Sequence, residues 1–188
     1  MGKAKVRALV LIGVLILVLG GAYLLLPMLN TETELPIPIT PMRELPPDAY
    51  LFLDFAAEDQ EGNPVYLSDF IDRPTIVFFW TSWCGFCKLG MDELQILYDQ
   101  TGDEIRILAV NLSVMGNRRG ELELGRAYME EMGFSFSSIY DVQGEAERAY
   151  SVTGVPFTLF IGSDGLLYHS QLGMMNAEVL AYLVDYME

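Results

Sequence analysis

The chain has two cysteines, Cys84 and Cys87, set in Trp83-Cys84-Gly85-Phe86-Cys87-Lys88. A continuous apolar run, 75–80, leads into the pair and reads as a strand buried on both faces. Residues 86–100 follow with Leu89, Leu94, Leu97 and Tyr98 at helical spacing and Gly102 beyond the end. The pair therefore falls where a buried strand turns into a helix, which points to an α/β domain. Two sulfurs three residues apart can close a small disulfide ring and reopen it. At a helix N-terminus the free N–H groups and the macrodipole favour negative charge, so the first sulfur, Cys84, is the better placed nucleophile. The pattern points to thiol–disulfide exchange.

The remaining pattern is consistent with a mixed sheet. Residues 51–56 alternate in part and read as a strand, Glu61-Gly62-Asn63-Pro64 as a turn, and 65–67 as a second short strand. A further buried strand is expected over 105–112, a helix over 121–132 with Gly133 as its stop, a strand over 137–140 and a short helix over 145–150. Strands over 157–161 and 166–171 are joined by Gly162-Ser163-Asp164-Gly165 as a hairpin, and Asn176 caps a last helix ending near Tyr186.

The N-terminus bears on location. Lys3, Lys5 and Arg7 form a basic tail, 1–7, before an uncharged apolar run from Ala8 to Leu26. A helix of that length is about 28 Å long, close to the hydrocarbon thickness of a bilayer. The run reads as a single transmembrane anchor over 8–26, with a cleaved signal peptide as the alternative, and Gly20-Gly21-Ala22 as small residues near a cut. All 26 acidic residues lie beyond it, so the positive-inside rule puts the rest of the chain outside the cytoplasm. Residues 27–47 hold six of the nine prolines and read as an extended linker, leaving 48–188 as one domain. The net charge of −15 argues against nucleic-acid partners and against docking flat on anionic lipid.

Three stretches stand out: Gly62 to Phe70, Phe79-Trp80-Thr81-Ser82-Trp83-Cys84, and Gly154-Val155-Pro156 with the turn from Ile161 to Gly165. On these the chain resembles the thioredoxin superfamily, specifically the membrane-anchored ResA/TlpA-like group of the AhpC/TSA-related branch. The resemblance covers about 48–188. It implies a thioredoxin-like fold, a central mixed β-sheet flanked by helices with an N-terminal strand extension. It also implies an enzyme that reduces disulfides of exported proteins, such as apocytochrome c, with electrons from a membrane thiol carrier of the CcdA/DsbD type. No cofactor is implied beyond the Cys84–Cys87 disulfide itself. Carried over by position, Cys84 is the attacking and Cys87 the resolving cysteine. Trp83 is the aromatic that shields the pair, and Pro156 is the cis-proline facing it. The substrate is expected between the turn of Trp83, Cys84, Gly85 and Phe86 and the backbone of Val155-Pro156, pairing as a strand would.

The chain departs from the group at four places. Phe78 stands where thioredoxins carry a buried aspartate, leaving Cys87 to use water, Lys88 or an acid elsewhere. The dipeptide between the cysteines is Gly-Phe, and Gly90 and Asp92 replace a glutamate and a helix-kinking proline, so the helix is expected to be straighter. Lys88 and Phe78 are thus the residues expected to tune the site. Other chemistries fit less well. A structural bridge across three residues closes almost no loop, and two thiols with the single histidine, His169, fall short of the four ligands of a structural metal site. The same residues run in reverse would make a disulfide-donating oxidase, and a tethered chaperone with idle cysteines is the non-redox alternative.

Overall fold

The computed structural model of the chain describes residues 51–187 together with Gly2 and Gly13. The chain divides into two units, Met1–Thr40 and Pro41–Glu188, and the elements below lie in the second. Apart from Gly2 and Gly13, the expected basic tail, anchor and linker fall outside the described residues. Among the described residues no helix is long and apolar enough to cross a membrane.

Along the chain the elements are β1 (Ala56–Glu58), β2 (Pro64–Tyr66), β3 (Thr75–Trp80), α1 (Gly85–Thr101), β4 (Arg106–Asn111), α2 (Glu121–Met132), β5 (Ser137–Tyr140), α3 (Glu145–Ala149), β6 (Phe157–Ile161), β7 (Leu167–Leu172) and α4 (Ala177–Asp185). The strands form one sheet in the order β2-β1-β5-β4-β3-β6-β7. Strand β3 pairs parallel with β4 and antiparallel with β6, β4 pairs parallel with β5, and the remaining neighbours are antiparallel. All six residues of β3 are buried, as its unbroken apolar run requires of a strand covered on both faces.

The crossovers β3–α1–β4 and β4–α2–β5 step in the same direction along the sheet. With right-handed connections that puts α1 and α2 on one face. Phe78 and Trp80 point to this face, the former under Gly90 of α1 and the latter 5.6 Å from the Tyr128 ring of α2. Helix α4 packs on α1, burying Leu180, Leu183 and Val184 where α1 buries Met91, Leu94 and Leu97. The opposite face carries Val77, Phe79, Leu108, Val110, Leu159 and Ile161, covered by Ala146 of α3, by Leu67 and by Val152.

Helix ends follow local chemistry. Helix α2 stops at Gly133 in the left-handed region (φ 62°), whose N–H donates to the Met129 carbonyl. Helix α4 starts at Asn176, whose Oδ1 accepts from the Val179 N–H at 2.9 Å. Buried Asp141 accepts from the N–H groups of Glu145 (2.7 Å) and Glu147 (3.0 Å) and so caps α3. Burial pushes its carboxyl up, and these bonds pull it part of the way back.

One expected strand is corrected. Only Ala56 of residues 51–56 enters a strand, because β1 runs Ala56–Glu58. Upstream the backbone bonds elsewhere: Leu51 bridges Leu166, and the Phe52 N–H donates to the Gly165 carbonyl at 3.1 Å. The Leu53 N–H and carbonyl both meet the Tyr150 hydroxyl at 2.8 Å. The second short strand also ends one residue early, since Leu67 opens a 3-10 turn, Leu67–Phe70.

Candidate active site

The Thr81–Cys84 turn delivers the first sulfur to the top of α1. The Cys84 N–H donates to the Thr81 carbonyl at 3.2 Å, and Cys84 is the N-cap of the helix. Its Sγ accepts from the Cys87 N–H at 3.2 Å, as a serine or aspartate cap would. The same sulfur lies 3.6 Å from the Val155 carbonyl, to which its thiol donates. Val155-Pro156 is a cis peptide bond, and the Pro156 carbonyl accepts from the Gly173 N–H at 2.8 Å. Segments 71 residues apart thus meet at one sulfur.

Both cysteines are free thiols with different surroundings. Cys84 is 8% exposed and Cys87 0%. Burial, first, and the contact with Cys84 push the Cys87 thiol up, while a backbone hydrogen bond from Thr81 pulls the other way; the charges of Cys84 and Glu121 add to the upward push. Cys84 caps α1 at the end where the helix's N–H groups are free.

Trp83 is 42% exposed, with the Arg118 guanidinium 4.6 Å from its ring centre. Beside it runs a groove of about 640 Å³ lined by Trp83, Met115, Gly116, Val152, Gly154 and Val155. Gly85 is exposed and Phe86 more so, at 68%. A larger cavity, about 700 Å³, lies between Asp59–Glu61 and Phe134–Ile139 and is lined by neither cysteine. Lys88 is half-buried, its ammonium 4.5 Å over the Tyr128 ring. Phe78 lies beneath α1, where a Cβ on Gly90 would come within 2.9 Å of its ring.

The structure adds residues that sequence reasoning passed over. Leu172 and Met174 are exposed near the site: a Cβ on Gly154 would meet Leu172 at 3.4 Å, and one on Gly90 would meet Met174 at 3.6 Å. Glu121, the first residue of α2, is 1% exposed and reaches the turn ahead of Cys84. It accepts from the Ser82 N–H (2.6 Å), the Ser82 hydroxyl (2.7 Å) and the Asn111 amide (2.9 Å). In the sequence Glu121 reads as an ordinary first-turn acid, and its burial has no local signal. Among the described residues no group of three or more His, Cys, Asp or Glu could hold a metal ion.

Disulfide exchange needs one reachable sulfur that can carry charge and a sheltered one to displace what the first has captured. The N-cap and first turn of α1 hold the two, and in this the chain is a thiol–disulfide oxidoreductase on a thioredoxin-like fold. The profile of the AhpC/TSA family matches residues 50–170, and the chain belongs to that family. Thiol-disulfide oxidoreductase ResA of Geobacillus thermodenitrificans is 31% identical over 129 residues, covering 66% of this chain and 69% of the relative. Sporulation thiol-disulfide oxidoreductase A of Bacillus subtilis is 28% identical over 109 residues, 57% of this chain, and the chain spans 64% of that relative's length. The crystal structure of StoA from Bacillus subtilis aligns with a TM-score of 0.58 at 24% identity, covering 72% of this chain and 97% of that one.

Proposed function

We propose that this protein is a membrane-anchored, extracytoplasmic reductase of disulfides in exported proteins, with the Cys84–Cys87 pair as its redox centre and no other cofactor. Cys84 attacks a substrate disulfide and forms a mixed disulfide. Cys87 then displaces the substrate's sulfur and leaves the pair oxidised. A membrane thiol carrier of the CcdA/DsbD type restores the dithiol, and apocytochrome c is one substrate of the right class. The observation that carries the reading is the Cys84 sulfur itself, which takes the helix's own N–H at 3.2 Å while lying 3.6 Å from the Val155 carbonyl. An extended substrate in the Trp83–Val155 groove brings its disulfide to that sulfur, with Val155 offering backbone for strand-like pairing. The apolar surface of Phe86, Leu172 and Met174 suits a polypeptide.

Trapping separates the two cysteines. Incubated with a protein disulfide, a Cys87→Ser variant will accumulate a covalent complex at Cys84, visible on a non-reducing gel and released by dithiothreitol. A Cys84→Ser variant will give none. Equal trapping by both variants, or trapping by neither, contradicts the assignment of roles.

A further inference from the structure

Positive charge is scarce in this chain and mostly engaged. Residues 51–187 hold seven of its 11 Lys and Arg side chains, in a chain with 26 acids. Arg73 and Arg106 pair with Asp72, and Arg126 pairs with Glu58. Lys88 lies over the Tyr128 ring, and Arg148 donates to the Gln143 carbonyl at 2.9 Å. Two remain, Arg118 and Arg119, consecutive and exposed. Among the described residues neither makes an ion pair, and Glu123 just beyond them on α2 pairs with neither.

These two arginines stand beside the redox groove. The Arg118 guanidinium is 4.6 Å from the centre of the Trp83 ring, and a Cβ on Gly116 would lie 4.0 Å from its Cζ2. The loop 113–120 is held at both ends against the segment that leads into Cys84. At its start the Leu112 N–H donates to the Trp80 carbonyl at 2.9 Å. At its end Glu121 accepts from the N–H and the hydroxyl of Ser82. Helix α2 comes this close because residue 125 is glycine, where a Cβ would stand 2.7 Å from the Asn111 amide nitrogen. Between the ends, Gly116 (φ 68°) and Asn117 (φ 47°) take left-handed backbone and turn the chain. Met115 and Gly116 then line the redox groove, while Arg118 and Arg119 line an adjoining recess of about 490 Å³ with Ser113, Val114 and Asn117. The groove carries the opposite sign elsewhere. Glu147 lines it beside Val152, whose N–H donates to the Glu147 carbonyl at 2.9 Å.

We propose that Arg118 and Arg119 select substrates in which an acidic residue stands beside the cysteine that Cys84 attacks. The assignment deepens the reductase reading and rests on it. A guanidinium offers a planar fork of donors to a carboxylate, and the Trp83 ring holds that of Arg118 at the groove. A substrate strand between Trp83 and Val155 presents its acid to the arginines and is repelled by Glu147. Attraction and repulsion together fix which way round the segment lies. The acidic remainder of the chain does not cancel this, because exposed charges more than about 8 Å apart are largely screened at physiological salt. The bond changes are those of thiol–disulfide exchange. The Cys84 thiolate attacks the substrate sulfur beside the acid and bonds to it, the substrate's S–S bond breaks, and its other sulfur leaves as a thiolate with the electron pair.

Three probes test the selection: symmetric disulfides of one short peptide, identical but for Asp, Asn or Lys beside its single cysteine. The readout is the second-order rate of covalent complex formation at Cys84, in the full chain carrying Cys87→Ser. With the native loop the Asp peptide will react about fivefold faster than the Asn peptide, and the Lys peptide will be slowest. Arg118→Gln with Arg119→Gln will bring the Asp-to-Asn ratio to within about twofold of one, and Arg118→Glu with Arg119→Glu will turn the preference to Lys. A ratio taken within each variant cancels any change in Cys84 reactivity or Trp83 packing that acts on all three peptides alike. Gln100→Glu is the control for net charge, since Gln100 is exposed near the far end of α1, about 24 Å along the helix from Cys84. It will keep the preference for Asp. Equal rates for Asp and Asn with the native loop, a preference that survives loss of both arginines, or the same loss in Gln100→Glu overturns the proposal. Failure of the reductase reading looks different and overturns both, because no peptide then forms a covalent complex in any variant.

Discussion

Phe78 and Gly90 fit one another at the level of single atoms. The ring of Phe78 occupies the space that a side chain at 90 would enter, with 2.9 Å and 3.3 Å between ring carbons and the missing Cβ. Gly90→Ala gains about 1 kcal/mol of helix propensity but overpacks a buried ring, a cost of about 1–3 kcal/mol. The clash wins, and denaturant unfolding will show a net loss. In a Phe78→Leu background the same substitution loses its clash and becomes neutral or stabilising, and a cycle in which the two effects simply add would contradict the pairing. His169 makes a prediction in pH. Burial, partly countered by its hydrogen bond with Gln171, holds this half-buried imidazole below its ordinary value near about 6.5. Its contribution to stability is therefore complete above that value and is lost as pH falls through the lower folded one. Between about pH 7 and 5 the wild type will lose more thermal stability than His169→Gln, and parallel melting curves would remove His169 from the acid response.

At the level of elements, Tyr150 holds the segment leading into β1. Its hydroxyl donates to the Leu53 carbonyl and accepts from the Leu53 N–H, both at 2.8 Å, across 97 residues, and partial burial of the side chain is the main cause of its phenol being pushed up to about 12. Tyr150→Phe leaves the ring packing against Phe55 and Phe79 in place and removes only the oxygen. Hydrogen exchange should show the Leu53 amide losing its protection while amides of β3 keep theirs, at a stability cost of about 0.5–1.5 kcal/mol. Protection unchanged at Leu53 would show that the pin does not hold the segment. This contact also explains what was illegible in the sequence. Alternation over 51–56 suggests a strand, but whether backbone groups meet a sheet neighbour or a distant hydroxyl is a tertiary matter. The helix over 121–132 and the strand over 137–140 were legible to the residue, because a left-handed glycine at 133 and a clean change of period mark them locally. The dithiol and the Val155-Pro156 junction were legible as motifs. Glu121 was not, since its first-turn position looks the same whether α2 lies on the sheet closely or loosely, and Gly125 decides that only in three dimensions.

For the whole molecule, the mixed sheet brings three distant pieces of chain to one end: the turn before α1, the cis-proline loop before β6 and the first residue of α2. The acidic chain, at −15 overall, places an apolar groove and the exposed Phe86, Leu172 and Met174 beside the Cys84 sulfur. The direction of electron flow is a property of this assembly, because the same atoms serve a reductase or, in reverse, an oxidase. It is read by equilibrating the full chain against glutathione or dithiothreitol buffers and measuring the reduction potential of the Cys84–Cys87 pair. A value near or below the thioredoxin end of the scale, about −270 mV, is the predicted result, and a value near that of the oxidant DsbA, about −120 mV, or no reversible couple at all, would contradict it.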